Sequence, residues 1–347
     1  MEYKLMGRTG VKVSPVCLGS DDFGDGTPPE LAAKIIIRAV ESGINLIDTG
    51  NLYAGGTSEK IIGKTLKENN LRHQVLISTK VDHAPRKIGV SLDAYTPKLA
   101  PNLQGNSRLN IIRACDLSLK ALQTDYIDFF QIHRYYPQYH IEETLGALTD
   151  LVRQGKVRYV GCSTFPPWMI MKAIMLSEMK GYARFVSEES PYNLLDRRIE
   201  NELIPMAQEI GLGILTWSPL AHGMLTGVYS KVGEYPAGSR AAARGSFYAD
   251  RVSEKGIEVG DKFVKLAKEA GISPAQLAVL WTKDQPGITA PLIGPQKLEH
   301  LEDMIPVMEM TLADSLRKAC DDLVPPGTAV ANFLNTSGWM KTTHPAG

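Results

Sequence analysis

The sequence predicts an α/β fold, a (β/α)8 TIM barrel, and three observations support that expectation. Eight short apolar runs rich in β-branched residues alternate along the chain with segments of helical period. The runs are close to continuously apolar, as strands of a parallel sheet covered on both faces are. The length, 347 residues, is ordinary for one barrel of this kind. A doubly wound sheet is the competing fold. It is disfavoured because no G-x-G-x-x-G fingerprint follows the first run and no Walker loop occurs.

Taken in order, the chain opens with "YKLMGRTGVKVS", a small β-hairpin with Gly7 and Gly10 as turn residues. The barrel is expected over about 14–306, with strands at 16–20, 45–49, 75–79, 126–133, 158–162, 185–187, 213–217 and 290–293. Between them, "PELAAKIIIRAVESG" puts Leu31, Ile35, Ile36 and Val40 on one helical face, and "IEETLGALTDLVRQGK" does the same with Leu145, Leu148, Leu151 and Val152. Gly43, Gly155, Gly181, Gly211 and Gly271 stand where helices should end. The Met-rich helix "PWMIMKAIMLSEM" reads as flexible core filler.

Three segments exceed what a barrel needs. They are the Pro- and Gly-containing connection 81–106, an insertion over 228–255 that contains "YPAGSRAAARGSFYADR", and a C-terminal helix plus tail at 311–347. Loops over the carboxyl end of a barrel are where substrate selectivity is built. Residues 1–347 are expected to form a single domain.

The 38 Lys and Arg balance the 38 Asp and Glu with no long like-charge block, which leaves no electrostatic footprint for nucleic acid or an anionic membrane. The expected partner is therefore a small molecule. Cys17, Cys115, Cys162 and Cys320 are widely separated, without C-x-x-C spacing, and read as reduced thiols of a cytoplasmic protein. No apolar run approaches the length of a membrane span, and the N-terminus has no signal-peptide core. No metal is expected, since His133, His140 and His300 lie in different units without ligand spacing.

Chemistry in such a barrel sits at the C-terminal ends of the strands. The polar residues there are Asp21 and Asp22, Asp48, Lys80, His133, Ser163 and Thr164, Glu188 and Glu189, Trp217 and Ser218, and Gln296 and Lys297. Singly, each is more often a loop residue or an ion-pair partner than a catalyst. Asp48, Lys80 and His133, however, end three consecutive strands, and Tyr53 follows Asp48 in the Gly-rich loop "DTGNLYAGG". An ammonium beside a phenol favours the phenolate and lowers its pKa, so Lys80 can activate Tyr53 while Asp48 holds Lys80 charged. A neutral His133 can donate to a carbonyl oxygen. Such a site protonates an oxygen while something else attacks its carbon.

At these residues the sequence closely resembles the aldo-keto reductase superfamily of nicotinamide-dependent (β/α)8 oxidoreductases. The resemblance runs nearly end to end, through "GINLIDTGNLYAGGTSEKIIG", "STK", "LQTDYIDFFQIHR", "GKVRYVGCSTF", "PYNLLDRRIENELIPMAQEIGLGILTWSPLAHGMLTG" and "PLIGPQKLEHLED" in the family's order. It implies Tyr53 as general acid/base, Lys80 and Asp48 as its tuning pair, and His133 as the carbonyl-orienting residue. It also implies that Ser20 and Asp48 face the cofactor, that Ser163, Thr164 and Glu189 hold the carboxamide, and that Trp217 stacks on the nicotinamide. Ser218, Leu220, Gly223 and Leu225 would cover the pyrophosphate, and the loop 293–304, with Ile293, Gly294, Gln296, Lys297, His300 and Asp303, would hold the adenosine end.

Several positions depart from the family's pattern. Thr164 replaces a common Asn, and Glu189 replaces a Gln, so a group that only accepts hydrogen bonds stands where an amide is usual. Gln296, His300 and Met304 replace Arg, Gln and Asn, which reduces preference for a 2′-phosphate, with Lys297 as a possible point-charge substitute. The expected cofactor is NADP(H), with NAD(H) possible. Asp21 stands where an apolar or aromatic residue is usual, which suggests a polyhydroxylated carbonyl substrate such as a sugar aldehyde. Tyr135 and Tyr136 in "HRYYPQYH", and Phe333 and Trp339 in the tail, are candidate aromatic walls, with packing on the rim weighing equally. Two other functions compete: a barrel aldolase using Lys80 as Schiff-base nucleophile, and a cofactor-binding regulatory subunit.

Overall fold

The computed structural model describes residues 1–81 and 102–334. Its centre is a closed barrel of eight parallel strands, hydrogen-bonded in chain order from β3 to β10 and closed by β10 against β3. The strands are β3 (Cys17–Gly19), β4 (Leu46–Asp48), β5 (Leu76–Val81), β6 (Ile127–Ile132), β7 (Val157–Ser163), β8 (Phe185–Pro191), β9 (Gly213–Trp217) and β10 (Ala290–Ile293). A hairpin of β1 (Lys4–Leu5) and β2 (Lys12–Val13) precedes them. Its Met6 and Val13 pack with Cys17, Leu46, Phe129 and Leu215, and so close the end of the barrel away from the strand C-termini.

The helices outside are α1 (Pro29–Glu41), α2 (Thr57–Glu68), α3 (Arg108–Leu122), α4 (Ile141–Arg153), α5 (Pro167–Lys180) and α6 (Leu203–Ile210). After β9 come α7 (Arg240–Arg244), α8 (Ser246–Asp250), α9 (Glu254–Glu269) and α10 (Pro274–Lys283), and after β10 come α11 (Leu298–Met304) and α12 (Asp314–Leu323). Each wall helix buries one apolar stripe: α1 buries Ile35 and Ile36, α4 buries Leu145, Leu148 and Leu151, and Leu31, Val40 and Val152 flank those stripes partly buried. A fully buried Leu or Ile stabilises by about 1.5–3 kcal/mol, so these stripes are what hold the helices on the sheet. The Gly residues expected at helix ends all have positive φ, which relieves the Cβ clash a terminating left-handed residue would suffer. Gly63 has a different reason: a Cβ there would lie 2.4 Å from the Leu122 carbonyl, where α2 meets α3.

Two expectations are revised. Strand β8 runs to Pro191, four residues beyond the run 185–187, because the carboxylates of "SEESP" pair with buried groups instead of turning to solvent. The Met-rich helix α5 buries only part of its methionines: Met169 is in the core, whereas Met175 and Met179 are 57% and 78% exposed. The last described segment, 324–334, folds back to the loop after β8, where Phe333 and Leu334 donate backbone N–H bonds to Asp196. No described helix is long and apolar enough to cross a membrane.

Candidate active site

Strands β4, β5, β6 and β8 end at one point, and parallel register makes them converge there. Asp48 is the last residue of β4, Lys80 lies near the end of β5 and His133 follows β6. Tyr53 begins a short 3-10 turn in which Ala54 and Gly55 take positive φ, a turn tight enough to bring the phenol back over the strand ends. Lys80 Nζ donates to Asp48 Oδ2, to the Thr49 carbonyl at 3.0 Å and to Tyr53 Oη at 3.4 Å. It also lies 3.2 Å from Glu189 Oε2 on β8. Lys80 is 0% exposed, Asp48 1% and Glu189 3%. The His133 ring meets Tyr53 edge-on, with centroids 5.9 Å apart, and its backbone N–H donates to Val81 at 3.0 Å.

Burial and neighbouring charge act together on these groups. Burial, then the charge of Glu189, pushes the Asp48 carboxyl up to about 8 against the pull of Lys80. Burial alone would lower the Lys80 pKa, yet the two carboxylates hold it well above the ordinary lysine range, so the ammonium stays charged. For Tyr53, burial outweighs the lowering by Lys80, and Asp48, Glu189 and Asp21 add to the rise. The phenol is therefore held protonated, opposite in sign to the net lowering that Lys80 alone would cause. Dehydration of the phenolate, which the sequence does not display, accounts for the difference.

A cleft of about 900 Å³ opens above this group and runs past Trp217 to the loop after β10. Its volume and its mix of walls, which bring Tyr53, Ser163 and Trp217 together with Gly294 and Gln296, fit a dinucleotide. The insertion after β9 forms one wall. Arg240 donates to Asp22 Oδ1 and lies 3.3 Å from Asp21 Oδ2, while Arg244 donates to Asp22 Oδ1 at 2.7 Å and pairs with Asp25 at 3.1 Å. Gln296 Nε2 donates to Asp22 Oδ2 at 3.0 Å. Burial would raise the Asp22 carboxyl, but Arg240 and Arg244 hold it below its ordinary range. The acidic doublet is thus the anchor of a clasp across the cleft.

Ser20, Asp21, Ser163, Glu189, Trp217 and Ser218 all line the cleft, as do Leu220, Gly223, Ile293, Gly294, His300 and Asp303. Other expected residues do not. Leu225 is 0% exposed in the core beneath the loop, and Thr164, at φ 55°, does not line the cleft. Lys297 is exposed outside the lining. Tyr135 packs against Phe165 and Trp168, at 5.4 and 6.1 Å, and faces a second groove beside α4 and α5, whereas its neighbour Tyr136 lines the cleft. Phe333 is fully buried against His222 and Arg251. Trp339 lies outside the described residues.

Sequence reasoning missed Arg240, Tyr248 and Arg251, which reach the cleft from the insertion. The arginines at an i, i+4 spacing in "RAAAR" were a signal for a paired cationic face, but its acidic partner is over 200 residues away. Arg251 sits 5.3 Å over Trp217, and burial brings its pKa down to about 10. His222 is kept neutral by burial, then by Arg251 and Arg240.

The Aldo/keto reductase family model matches residues 15–325. An uncharacterised oxidoreductase of Bacillus subtilis, YrpG, is 36% identical over 94% of this chain and 96% of its own length. Versiconal hemiacetal acetate reductase of Aspergillus parasiticus is 32% identical, over 90% of this chain and 94% of its own. A putative aryl-alcohol dehydrogenase of Schizosaccharomyces pombe is 32% identical, over 90% and 92% respectively.

Proposed function

The chain belongs to the aldo/keto reductase family, and we propose that it reduces aldehydes or ketones to alcohols, or runs the reverse oxidation, with a nicotinamide dinucleotide and with Tyr53 as proton donor. The supporting observation is the buried group of Asp48, Lys80 and Glu189 set against Tyr53 and His133 at the barrel mouth. When bound, the nicotinamide supplies hydride to the carbonyl carbon. Tyr53 gives its Oη proton to the carbonyl oxygen, and Lys80 Nζ, 3.4 Å away, offsets the charge left on the phenolate. His133 orients the carbonyl oxygen by donating a hydrogen bond. Ser20, Ser163 and Trp217, which line the cleft, would hold the nicotinamide end, and Gly294, Gln296, His300 and Asp303 would hold the adenosine end.

For the dinucleotide, NADP(H) is the first reading from the family resemblance. NAD(H) is the second, favoured by Gln296 being bonded to Asp22 and by Lys297 lying outside the cleft. Turnover with each at limiting concentration separates them. The substrate reading shifts from a sugar toward a carbonyl compound with an aromatic or apolar body. Asp21 is engaged by Arg240, and Tyr53, Tyr136, Trp217 and Tyr248 give the cleft aromatic walls; a relative named as a putative aryl-alcohol dehydrogenase agrees with this. An aldolase using Lys80 is disfavoured, because an ammonium held charged between two carboxylates is no nucleophile.

A panel of aromatic and polyhydroxylated aldehydes and alcohols, followed by nicotinamide absorbance, tests the reading. Tyr53→Phe is expected to lose at least about 10²-fold in kcat, the usual worth of a positioned general acid. Retained turnover in that variant removes Tyr53 as the acid, and faster turnover of polyhydroxylated compounds removes the aromatic reading.

A further inference from the structure

We propose that Glu189 is a positioning residue that shares Lys80 with Asp48 and so sets the pH range over which Tyr53 donates its proton. The inference rests on the reading of Tyr53 given above. Its basis is geometric. Glu189 projects from β8 into the barrel, 3% exposed, with Oε2 3.2 Å from Lys80 Nζ and 3.4 Å from Gln131 Nε2. Its backbone carbonyl accepts from Ser163 Oγ at 2.9 Å and Thr164 N–H at 3.0 Å, so β7 fixes the strand that carries it. Glu189 therefore reaches across the barrel to a lysine on β5, three strands away in the closed sheet.

Two carboxylates then face one ammonium at the nearly buried floor of the cleft. With all three ionised the group carries a net negative charge, and interior burial penalises that charge heavily. Holding a proton on the carboxylate pair relieves it, which agrees with the rise of Asp48 under burial and Glu189. The other titratable groups facing the cluster are Cys17 from β3, Asp21 after β3, Tyr53 after β4 and His133 after β6. Cys17 is driven well above its ordinary range by burial, then by Asp48 and Glu189, and stays a neutral thiol at working pH.

The consequence concerns the phenol. A carboxylate beside Lys80 weakens the field that Lys80 exerts on Tyr53, and a phenol with a weakened cation loses its proton at higher pH. A neutral amide at this position would leave Lys80 paired with Asp48 alone. Glu189 thus keeps Tyr53 in its proton-donating form further into alkaline conditions, which extends the alkaline range of carbonyl reduction.

The test compares pH profiles of kcat/KM for reduction in the full-length wild type and Glu189→Gln, with phenolate absorbance titrations in the absence of cofactor. Each titration is referred to the corresponding Tyr53→Phe form, so that the difference reports Tyr53 alone. In Glu189→Gln the alkaline limb and the Tyr53 titration are both expected about one pH unit lower, the usual scale for removing a charge this close. The Asp48 inflection near 8 is expected to move to lower pH, because burial still raises it but the Glu189 charge no longer does. Superimposable profiles and titrations, with only cofactor affinity altered in a fluorescence titration, overturn the proposal and leave Glu189 a cofactor contact. Should the amide variant not fold, Glu189→Asp draws the charge back from Lys80 and is expected to move the limb the same way by less; an unmoved limb there also overturns it. Failure of the Tyr53 reading is separately visible as turnover retained in Tyr53→Phe, whatever Glu189 does.

Discussion

At the scale of single residues, the candidate acid–base group depends on Lys80 keeping both carboxylates company. Lys80→Met leaves Asp48 and Glu189 buried without a cation. Removing one partner of a buried ion pair costs about 3–5 kcal/mol, and that loss is expected in denaturant unfolding of Lys80→Met. Adding Asp48→Asn to Lys80→Met is expected to recover part of it; a double variant no more stable than the single one would show that the two residues do not interact. Asp48, Lys80 and His133 were legible in the sequence because a barrel collects its strand ends, so position along the chain translates directly into a shared site. Glu189 was legible as a strand-end carboxylate, but its pairing with Lys80 was not, since nothing local indicates which strand lies across the barrel. Tyr135 and Tyr136 were indistinguishable for a related reason: adjacent residues point to opposite sides, and only the backbone path after β6 decides which side is the cleft.

At the scale of elements, the insertion after β9 is held by charge as well as by the apolar packing of Tyr229, Ala241 and Val252. Arg240 and Arg244 of α7 meet Asp21, Asp22 and Asp25, with Gln296 completing the bonds of Asp22. Asp22→Asn removes the charge shared by both arginines. Tryptic cleavage within 228–255 is expected to become several-fold faster at low salt in that variant, and high salt is expected to speed the wild type less, because these pairs are largely buried. Unchanged cleavage would mean that packing holds the insertion without the ion pairs. At the α2–α3 contact, Gly63→Ala forces a Cβ against Leu122 backbone and is expected to cost about 1–3 kcal/mol in thermal unfolding. The helices were readable from their 3.6-residue apolar period, but the clasp was not. "DDFGDG" and "RAAAR" each resemble an ordinary solvated segment until the fold brings them together.

At the scale of the whole molecule, buried carboxyl groups set how stability varies with pH. Burial pushes Glu188 up to about 8, against hydrogen bonds that its Oε1 accepts from Ser190 Oγ and the Phe165 N–H. Asp48 rises to about 8 as well. Groups with raised folded-state values bind protons that the unfolded chain has released, so their contribution is complete below the unfolded value, about 4, and is lost as pH rises to the folded one. Stability should therefore fall between about pH 4 and 8, by up to about 1.4 kcal/mol per pH unit for each proton. Glu188→Gln is expected to match the wild type near pH 4 and to exceed it increasingly toward pH 8 in thermal melts; parallel curves would refute a protonated Glu188.

The barrel, the order of its strands, the helix faces and the four residues gathered at the strand ends are all written in the linear chain. Those follow from period and chain order, which are local properties carried by each segment. The tertiary structure decided the second carboxylate on Lys80, the protonation of Tyr53 and the fate of the acidic doublet as an anchor. Each of these depends on which distant groups share a buried volume, and on the cost of removing water from them, and neither quantity exists until the chain has folded.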